Sequence, residues 1–251
     1  MDIWSAVNGA VLPPVSIQGE LVRVVESQEQ VATNSLVDTL YEQDILERLL
    51  DDNKPPVPEN TQHLDYLLFT PFRYPPLKHG SRFGSRFEPS LFYGSLSVET
   101  ALAETGYYRL LFWQGMTIPP PSGKLTTQHT VFGADYATDM GIQLQSEPFS
   151  DFEDPLRCPD DYRDTQQLGT AMRDAGIEGF EYVSARDPDK GINVALYDPV
   201  ALTSEKPKYQ RLYLCQVDAS AVSFFSKSFE HVINYPLDTF LVNGQLPSPA
   251  V

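Results

Sequence analysis

The sequence has few cysteines, few histidines and few basic residues. Its two cysteines, Cys158 and Cys215, have no CxxC or Cys/His spacing, so neither a disulfide framework nor a zinc site is predicted. The four histidines lie far apart, without the spacing of metal ligands. Lys and Arg number 18 against 34 Asp and Glu, and the net charge of −16 disfavours binding to nucleic acid or anionic lipid.

Long apolar runs and nucleotide-binding loops are also missing. No apolar stretch approaches the ~18 residues that a membrane span needs, and the N-terminus has no basic region typical of a signal peptide. With few and unpatterned cysteines, this predicts a soluble, cytoplasmic protein. Walker and Rossmann glycine motifs are absent, and so is GxSxG, which disfavours a serine hydrolase.

What is present is a globular composition with 41% hydrophobic residues. Residues 1–19 resemble a loose leader, and the segment from Gln18 to Asp52 is interpreted as helical. Within it, apolar residues from Leu36 to Leu50 recur at spacings of three and four among acids, which predicts an amphipathic acidic helix. The apolar face of this helix either packs on the core or helps to bind a partner.

A proline-rich segment, 54–58, ends that helix and marks the boundary with the next part of the chain. We therefore predict an N-terminal helical extension over 1–60 and a domain over 61–251 that includes a C-terminal tail. In this domain, strands are expected at 63–69, 90–95, 124–145, 179–183, 193–197 and 211–217, and helices at 97–104 and 165–175. An acidic loop is expected at 149–164. The predicted fold class is α+β, because the helices are too few for a doubly wound sheet.

Residues 66–87 contain basic residues and no acid, against the charge of the whole chain. Arg73, Arg82 and Arg86 lie here, and arginine binds phosphate oxygens in bidentate fashion. The segment is therefore a candidate binding site for a small anionic ligand. A solvated basic loop that pairs with acidic segments is the alternative.

Three further residues follow in order along the chain. Tyr93 lies on a predicted strand and Glu104 on the helix after it, so both are expected near one end of the sheet. Apolar neighbours would partly desolvate the Glu104 carboxylate, although an exposed helical glutamate has the same pattern. Ser184 follows another strand, where it either points a hydroxyl into the same cleft or serves as a turn residue.

Together these motifs resemble the RES domain, the toxin part of RES–Xre toxin–antitoxin pairs. The motifs, in order, are GSRF at 80–83, LFY at 91–93, TALAE at 100–104 and YVSAR at 182–186. Tyr93 follows Arg82 by eleven positions, and Glu104 follows Tyr93 by eleven, as in the family pattern. The repeat of GSRF also presents Arg86, but the spacing of eleven favours Arg82.

The resemblance, over about 65–200, implies a compact fold like that of ADP-ribosyltransferases, with central mixed or antiparallel strands and flanking helices. It implies cleavage of the nicotinamide–ribose bond of NAD, with NAD as substrate, inorganic phosphate or water as acceptor, and no metal. Arg82, Tyr93, Glu104 and Ser184 match the family's catalytic motif residues. Arg73, Tyr74 and Asn193 match its NAD-binding positions.

The resemblance also implies an Xre-type antitoxin as protein partner, without direct contact to nucleic acid or membrane. A homo-oligomer is compatible with the sequence. A protein ADP-ribosyltransferase with the same fold is one alternative, and a non-enzymatic module that binds an anion or a partner is another.

Overall fold

The computed structural model describes residues 1–27, 36–227 and 232–248. Its centre is an eight-stranded mixed sheet. The strands are β1 (Val15–Glu26), β2 (Phe92–Ser95), β3 (Leu125–Gln143), β4 (Gly179–Val183), β5 (Ile192–Leu196), β6 (Tyr209–Val217), β7 (Ala221–Phe225) and β8 (Ile233–Pro236). The helices are α1 (Ile3–Ala6), α2 (Leu40–Asp52), α3 (Tyr66–Arg73), α4 (Val98–Gln114), α5 (Glu153–Leu156) and α6 (Arg163–Asp174). The predicted α+β class with a mixed sheet is confirmed.

Five of the strands are joined in a closed ring of pairings. The sheet runs β1-β2-β5-β4-β3-β6-β7-β8, and β1 also pairs with β3. The β3–β4 pair is parallel, over Gly141–Gln143 and Gly179–Glu181, while the other strand pairs are antiparallel. Strands β6, β7 and β8 extend the sheet beyond the first half of β3, so the segment after residue 217 continues the sheet.

Helix α4 carries Glu104 and packs on the sheet. Ser97 caps its N-terminus by accepting a hydrogen bond from the Thr100 backbone N–H at 3.1 Å. The buried side chains Leu102, Tyr107 and Leu110 then pack on the sheet residues of β3, β6 and β7. Burial of each such apolar side chain contributes ~1.5–3 kcal/mol, so this packing holds the helix in place.

Four predicted elements are wrong. The loose leader of 1–19 contains α1 and the start of β1, and the acidic loop of 149–164 contains α5. Residues 63–69, predicted as a strand, contain the start of α3, because Asp65 caps a helix by accepting from the Leu67 N–H at 3.0 Å.

Of the segment interpreted as helical, Gln18 to Asp52, the part up to Glu26 is instead strand β1, which pairs with β3, while Leu40–Asp52 is helical as predicted. The N-terminal region therefore contributes a strand of the sheet as well as helix α2, while residues 28–35 of that prediction lie outside the described residues.

The division of the chain at residue 60 stays a prediction. Among the residues that the structure describes, none of the helices is both long and apolar enough to cross a lipid bilayer.

Candidate active site

A cleft of about 290 Å³ lies beside α4, where β1 and β2 pair at Val22 and Ser95. Its charged residues are Arg23, Arg82 and Glu104. Four tyrosines and several small or polar residues complete the lining: Tyr93, Tyr108, Tyr162, Tyr182, Ser81, Ser95, Asn193, Thr105, Gly94, Ala101, Val22 and Val24. Two cations, one carboxylate and several aromatic rings thus share one cleft.

The Glu104 carboxylate is held through one of its two oxygens. Its Oε1 accepts hydrogen bonds from Ser184 Oγ at 2.6 Å and from Asn193 Nδ2 at 2.7 Å. Ser95 Oγ donates to Asn193 Oδ1 at 2.6 Å, which fixes the orientation of the amide. Within the described residues, no hydrogen bond to Oε2 is found. The carboxylate is therefore oriented by neutral donors while one oxygen stays available to a ligand.

Ser184 lies behind Glu104 and does not line the cleft. Its side chain is fully buried, and its Oγ accepts from the backbone N–H groups of Arg186 at 3.1 Å and Asp187 at 2.9 Å. Both lone pairs of the hydroxyl are thereby occupied, so its proton points to Glu104. Ser184 acts on the site through Glu104 and does not reach a ligand itself.

A buried aspartate links the loop that follows β4 to α4. Asp187 Oδ2 accepts from Thr100 Oγ1 at 2.7 Å, one helical turn before Glu104, and from the Gly191 N–H at 3.2 Å. A Cβ on Gly191 would lie 1.9 Å from Thr100 Oγ1, so this close approach requires glycine. The contact fixes the distance between the helix that carries Glu104 and the loop that carries Ser184.

Arg82 projects from a loop fastened to α6. Its Nη1 donates to the Cys158 carbonyl at 2.8 Å, and its guanidinium lies 4.5 Å from the centre of the Tyr162 ring. Burial opposes its charge, but the electrostatic effects of Tyr162 and Glu104 outweigh this and raise the pKa of Arg82. Gln166 Nε2 holds the loop through the Ser81 carbonyl at 2.9 Å. Arg82 is thus a fixed cation facing the cleft.

Tyr93 joins the same loop to β2. Its hydroxyl shares a hydrogen bond of 2.8 Å with Ser81 Oγ and accepts from the Phe83 N–H at 3.2 Å. Burial raises the pKa of Tyr93 to about 12, although these two bonds act in the opposite direction. The ring is a rigid, uncharged wall of the cleft.

Arg73, Tyr74 and Arg86 do not line the cleft. Arg73 Nε donates to the Pro55 carbonyl at 2.5 Å, and its guanidinium lies 6.0 Å from the centre of the Tyr74 ring. Arg86 lies over the exposed Phe87 ring, 5.0 Å from its centre. Of the sequence-predicted positions, the structure therefore brings together Arg82, Tyr93, Glu104, Ser184 and Asn193.

Sequence reasoning missed Arg23, which enters the cleft from β1. Its guanidinium donates to the Tyr93 carbonyl and lies 5.0 Å from the centre of the Phe92 ring. Burial lowers the pKa of Arg23 to about 10, and its buried Nε has no hydrogen-bond partner among the described residues. One signal was available, since Arg23 is the single charged residue within an otherwise apolar run at 21–25.

Tyr108 and Tyr162 were missed as well. Tyr108 follows Glu104 by one turn of α4, and Tyr162 directly precedes α6. No sequence motif marks Tyr162, because only the packing of α6 brings it to the cleft. Among the described residues, no group of three or more His, Cys, Asp or Glu could hold a metal ion.

Comparison with known proteins identifies a matching sequence family and a similar solved structure. The sequence model of the RES domain matches residues 57–216. No curated protein matches the chain. A similar solved structure, titled the crystal structure of the M. tuberculosis MbcT-MbcA toxin-antitoxin complex, has a TM-score of 0.45 and 10% identity, covering 86% of this chain and 91% of that one.

The matched residues comprise more than half of the chain and include Arg82, Tyr93, Glu104, Ser184 and Asn193. The resemblance to the RES domain is confirmed, and this chain belongs to the RES domain family.

Proposed function

We propose that this chain is the toxin of a toxin–antitoxin pair and that it cleaves the bond between nicotinamide and ribose in NAD. The observation that carries the proposal is the Glu104 carboxylate, held through Oε1 by Ser184 and Asn193 while Oε2 has no described partner. Membership of the RES domain family supports the assignment. An Xre-type antitoxin is the proposed protein partner, and the cytoplasm the proposed place of action.

The charges of the cleft suit a dinucleotide. Arg82 and Arg23 provide two cations for the diphosphate, and arginine pairs with phosphate oxygens in bidentate fashion. The nicotinamide ring of NAD is a flat cation, which favours the faces of the tyrosines that line the cleft. The volume of about 290 Å³ is small for a whole dinucleotide, so the cleft takes the nicotinamide–ribose end with the diphosphate at Arg82 and Arg23, and the adenosine end lies outside it.

Glu104 stabilises the charge that develops when nicotinamide leaves. The C1′–N bond breaks heterolytically, and its electron pair stays on the ring nitrogen, which neutralises the pyridinium. The ribose becomes oxocarbenium-like, as in glycoside hydrolysis. Glu104 Oε2 accepts a hydrogen bond from a ribose hydroxyl and places its negative charge beside this cation.

An oxygen nucleophile then completes the reaction at C1′. A phosphate oxygen yields ADP-ribose phosphate, whereas water yields ADP-ribose and releases one proton to solvent. Ser184 and Asn193 orient Glu104 throughout, and Arg82 neutralises the diphosphate without taking part in proton transfer. A metal is not needed at any step of this scheme.

The test is chromatography of NAD incubated with purified protein, in phosphate buffer and in phosphate-free buffer. Nicotinamide with a phosphate-dependent ADP-ribose phosphate product would establish a phosphorylase, and nicotinamide with ADP-ribose a glycohydrolase. Intact NAD under both conditions, also after addition of candidate acceptor proteins, would contradict the proposal. NAD-dependent modification of an added protein would instead establish an ADP-ribosyltransferase.

A further inference from the structure

Helix α2 buries only part of its apolar surface. Gln43 is the one buried side chain of the helix, and Leu46 beside it is half-buried. Tyr41, Ile45 and Leu49 are 72%, 36% and 55% exposed. Packing of the whole apolar face on the core, one of the two uses expected from the sequence, therefore does not occur within the described residues.

Three of the five exposed apolar residues of α2 form a stripe, called here the α2 stripe: Tyr41, Ile45 and Leu49. The other two, Leu40 and Leu50, lie on other faces of the helix. Side chains at i, i+4 and i+8 lie on one face of a helix, and eight residues span ~12 Å. The stripe is therefore continuous over two helical turns. A stripe of this length is enough to contact one face of a partner helix.

Acidic side chains surround the α2 stripe. The acids of the helix are Glu42, Asp44, Glu47, Asp51 and Asp52, and its one base is Arg48. Arg48 is paired with Asp44, and Lys54, just after the helix, is paired with Asp51 at 2.6 Å. The bases within and just after the helix are thus already neutralised, and the surface around the stripe keeps an excess of negative charge.

We propose that the α2 stripe is a docking surface for a basic amphipathic helix of another protein. The three apolar side chains would contact the apolar face of that helix, and its Lys or Arg residues would face the surrounding acids. Helices that bind a groove or a second helix use anchors at such i and i+4 positions. This inference does not depend on NAD cleavage, because α2 contributes no residue to the cleft.

Charge argues for a basic partner and against two other occupants. A second copy of the chain would place two acidic helices against each other, in a protein whose net charge is −16. An anionic membrane surface would repel the same acids. A basic helix gains from both the apolar stripe and the charge around it.

The α2 stripe offers a small contact area, so the affinity for a partner helix should be low. Three side chains bury far less than the ~1,200 Å² of a stable interface, so the stripe on its own supports a weak complex. The charged rim is screened by salt, so the affinity of a basic partner should fall as ionic strength rises. Weak binding with a strong dependence on salt is therefore the expected signature.

The probe is a fluorescent synthetic peptide of about 18 residues, long enough to be helical, with leucines along one face and Lys and Arg on the others. Its control has Glu in place of every Lys and Arg. Fluorescence anisotropy with the full-length protein measures both affinities at low and high salt. The basic peptide should bind, more weakly at high salt, and the acidic peptide should not.

Two variants place the binding on the α2 stripe. Ile45→Ser should weaken the basic peptide about tenfold, as expected for loss of one buried apolar side chain. Ile118→Ser, at an isoleucine that is 85% exposed and far from α2 in sequence, should leave the affinity unchanged. Circular dichroism checks that both variants keep the wild-type fold.

Equal binding of the two peptides, or an Ile45→Ser variant with unchanged affinity, would overturn the proposal. A concentration-dependent dimer in sedimentation equilibrium that Ile45→Ser abolishes would also overturn it, by making a second copy the occupant. None of these outcomes depends on whether the protein cleaves NAD.

Discussion

Glu104 and Glu181 are both held by neutral hydrogen-bond donors, and they differ in how many of their carboxylate oxygens are engaged. Glu104 has two donors on Oε1 and, among the described residues, none on Oε2. Glu181 on β4 is buried, and both of its oxygens are engaged: Tyr136 OH donates to Oε1 at 2.6 Å, and Gln143 Nε2 donates to Oε2 at 3.0 Å. Glu104 lines the cleft, and Glu181 does not.

The difference teaches what separates a structural carboxylate from a reactive one. A carboxylate with a hydrogen bond on each oxygen contributes to the fold, because both oxygens already have a partner within the protein. A carboxylate fixed through a single oxygen is oriented and still able to accept a bond from a substrate. Strand geometry supports the contrast, since Glu181 and Tyr182 are neighbours that point to opposite faces of the sheet, and only Tyr182 reaches the cleft.

The largest expected effect is the loss of NAD cleavage in Glu104→Gln. The amide keeps the shape of the side chain but removes the negative charge beside the developing cation, so turnover should fall by ~100–1,000-fold. Glu181→Gln should keep turnover near the wild-type value. Initial rates of nicotinamide release by both variants measure this, and full turnover by Glu104→Gln would remove the proposed role.

Arg82→Ala should mainly raise KM, because the loss of a contact to a charged phosphate costs ~2–3 kcal/mol in the free energy of substrate binding. Arg86→Ala is the matched control and should leave KM unchanged, because Arg86 lies over Phe87 and outside the cleft. The measurement is the dependence of the initial rate on NAD concentration. A raised KM in Arg86→Ala with an unchanged one in Arg82→Ala would reverse the assignment.

Ser184→Ala should lower kcat by about tenfold and change KM little, because it removes a group that orients Glu104 and does not touch the substrate. Gln145→Ala removes one of the donors to Glu181, which is 3.0 Å away, and should leave kcat unchanged. Steady-state kinetics on both variants separates the two carboxylates. Because Ser184→Ala also leaves two buried N–H groups without an acceptor, its thermal unfolding is measured in parallel.

The smallest expected effect is on stability, where Glu181→Gln should lose more than Glu104→Gln. Glu181→Gln replaces the bond that Tyr136 OH donates to a carboxylate by a weaker one in which that hydroxyl accepts from the amide NH₂, which should cost ~1 kcal/mol in the free energy of unfolding. Glu104→Gln can place its NH₂ at the Oε2 position and keep both bonds to Oε1, so its stability should be unchanged. Urea unfolding measures both, and an equal loss would contradict the contrast.

Local patterns predicted much of the fold. The Ser97 cap and the apolar helix after it predicted α4, and the glycine-bounded apolar runs predicted β2, β4 and β5, which are confirmed. The strand predicted at 63–69 was wrong, because a short apolar run fits either a strand or a helix. The Asp65 cap stabilises the helix. The helical interpretation from Gln18 failed because pairing with β3 determines the conformation of that segment.

The amino-acid sequence by itself determined the family, the α+β class, four residues that line the cleft (Arg82, Tyr93, Glu104 and Asn193) and Ser184, which bonds to Glu104 from behind it. Those residues lie within short motifs whose order and spacing can be read along the chain.

Only the tertiary structure decided that Arg23 and Tyr162 join them, that Arg73 lies elsewhere, and that one Glu104 oxygen is held while the other is available. The physical reason is that these features depend on contacts between segments far apart in sequence. Strand β1 pairs with β3, α6 packs beside the arginine loop, and the Ser184 hydroxyl is oriented by backbone N–H groups. No local pattern encodes such contacts.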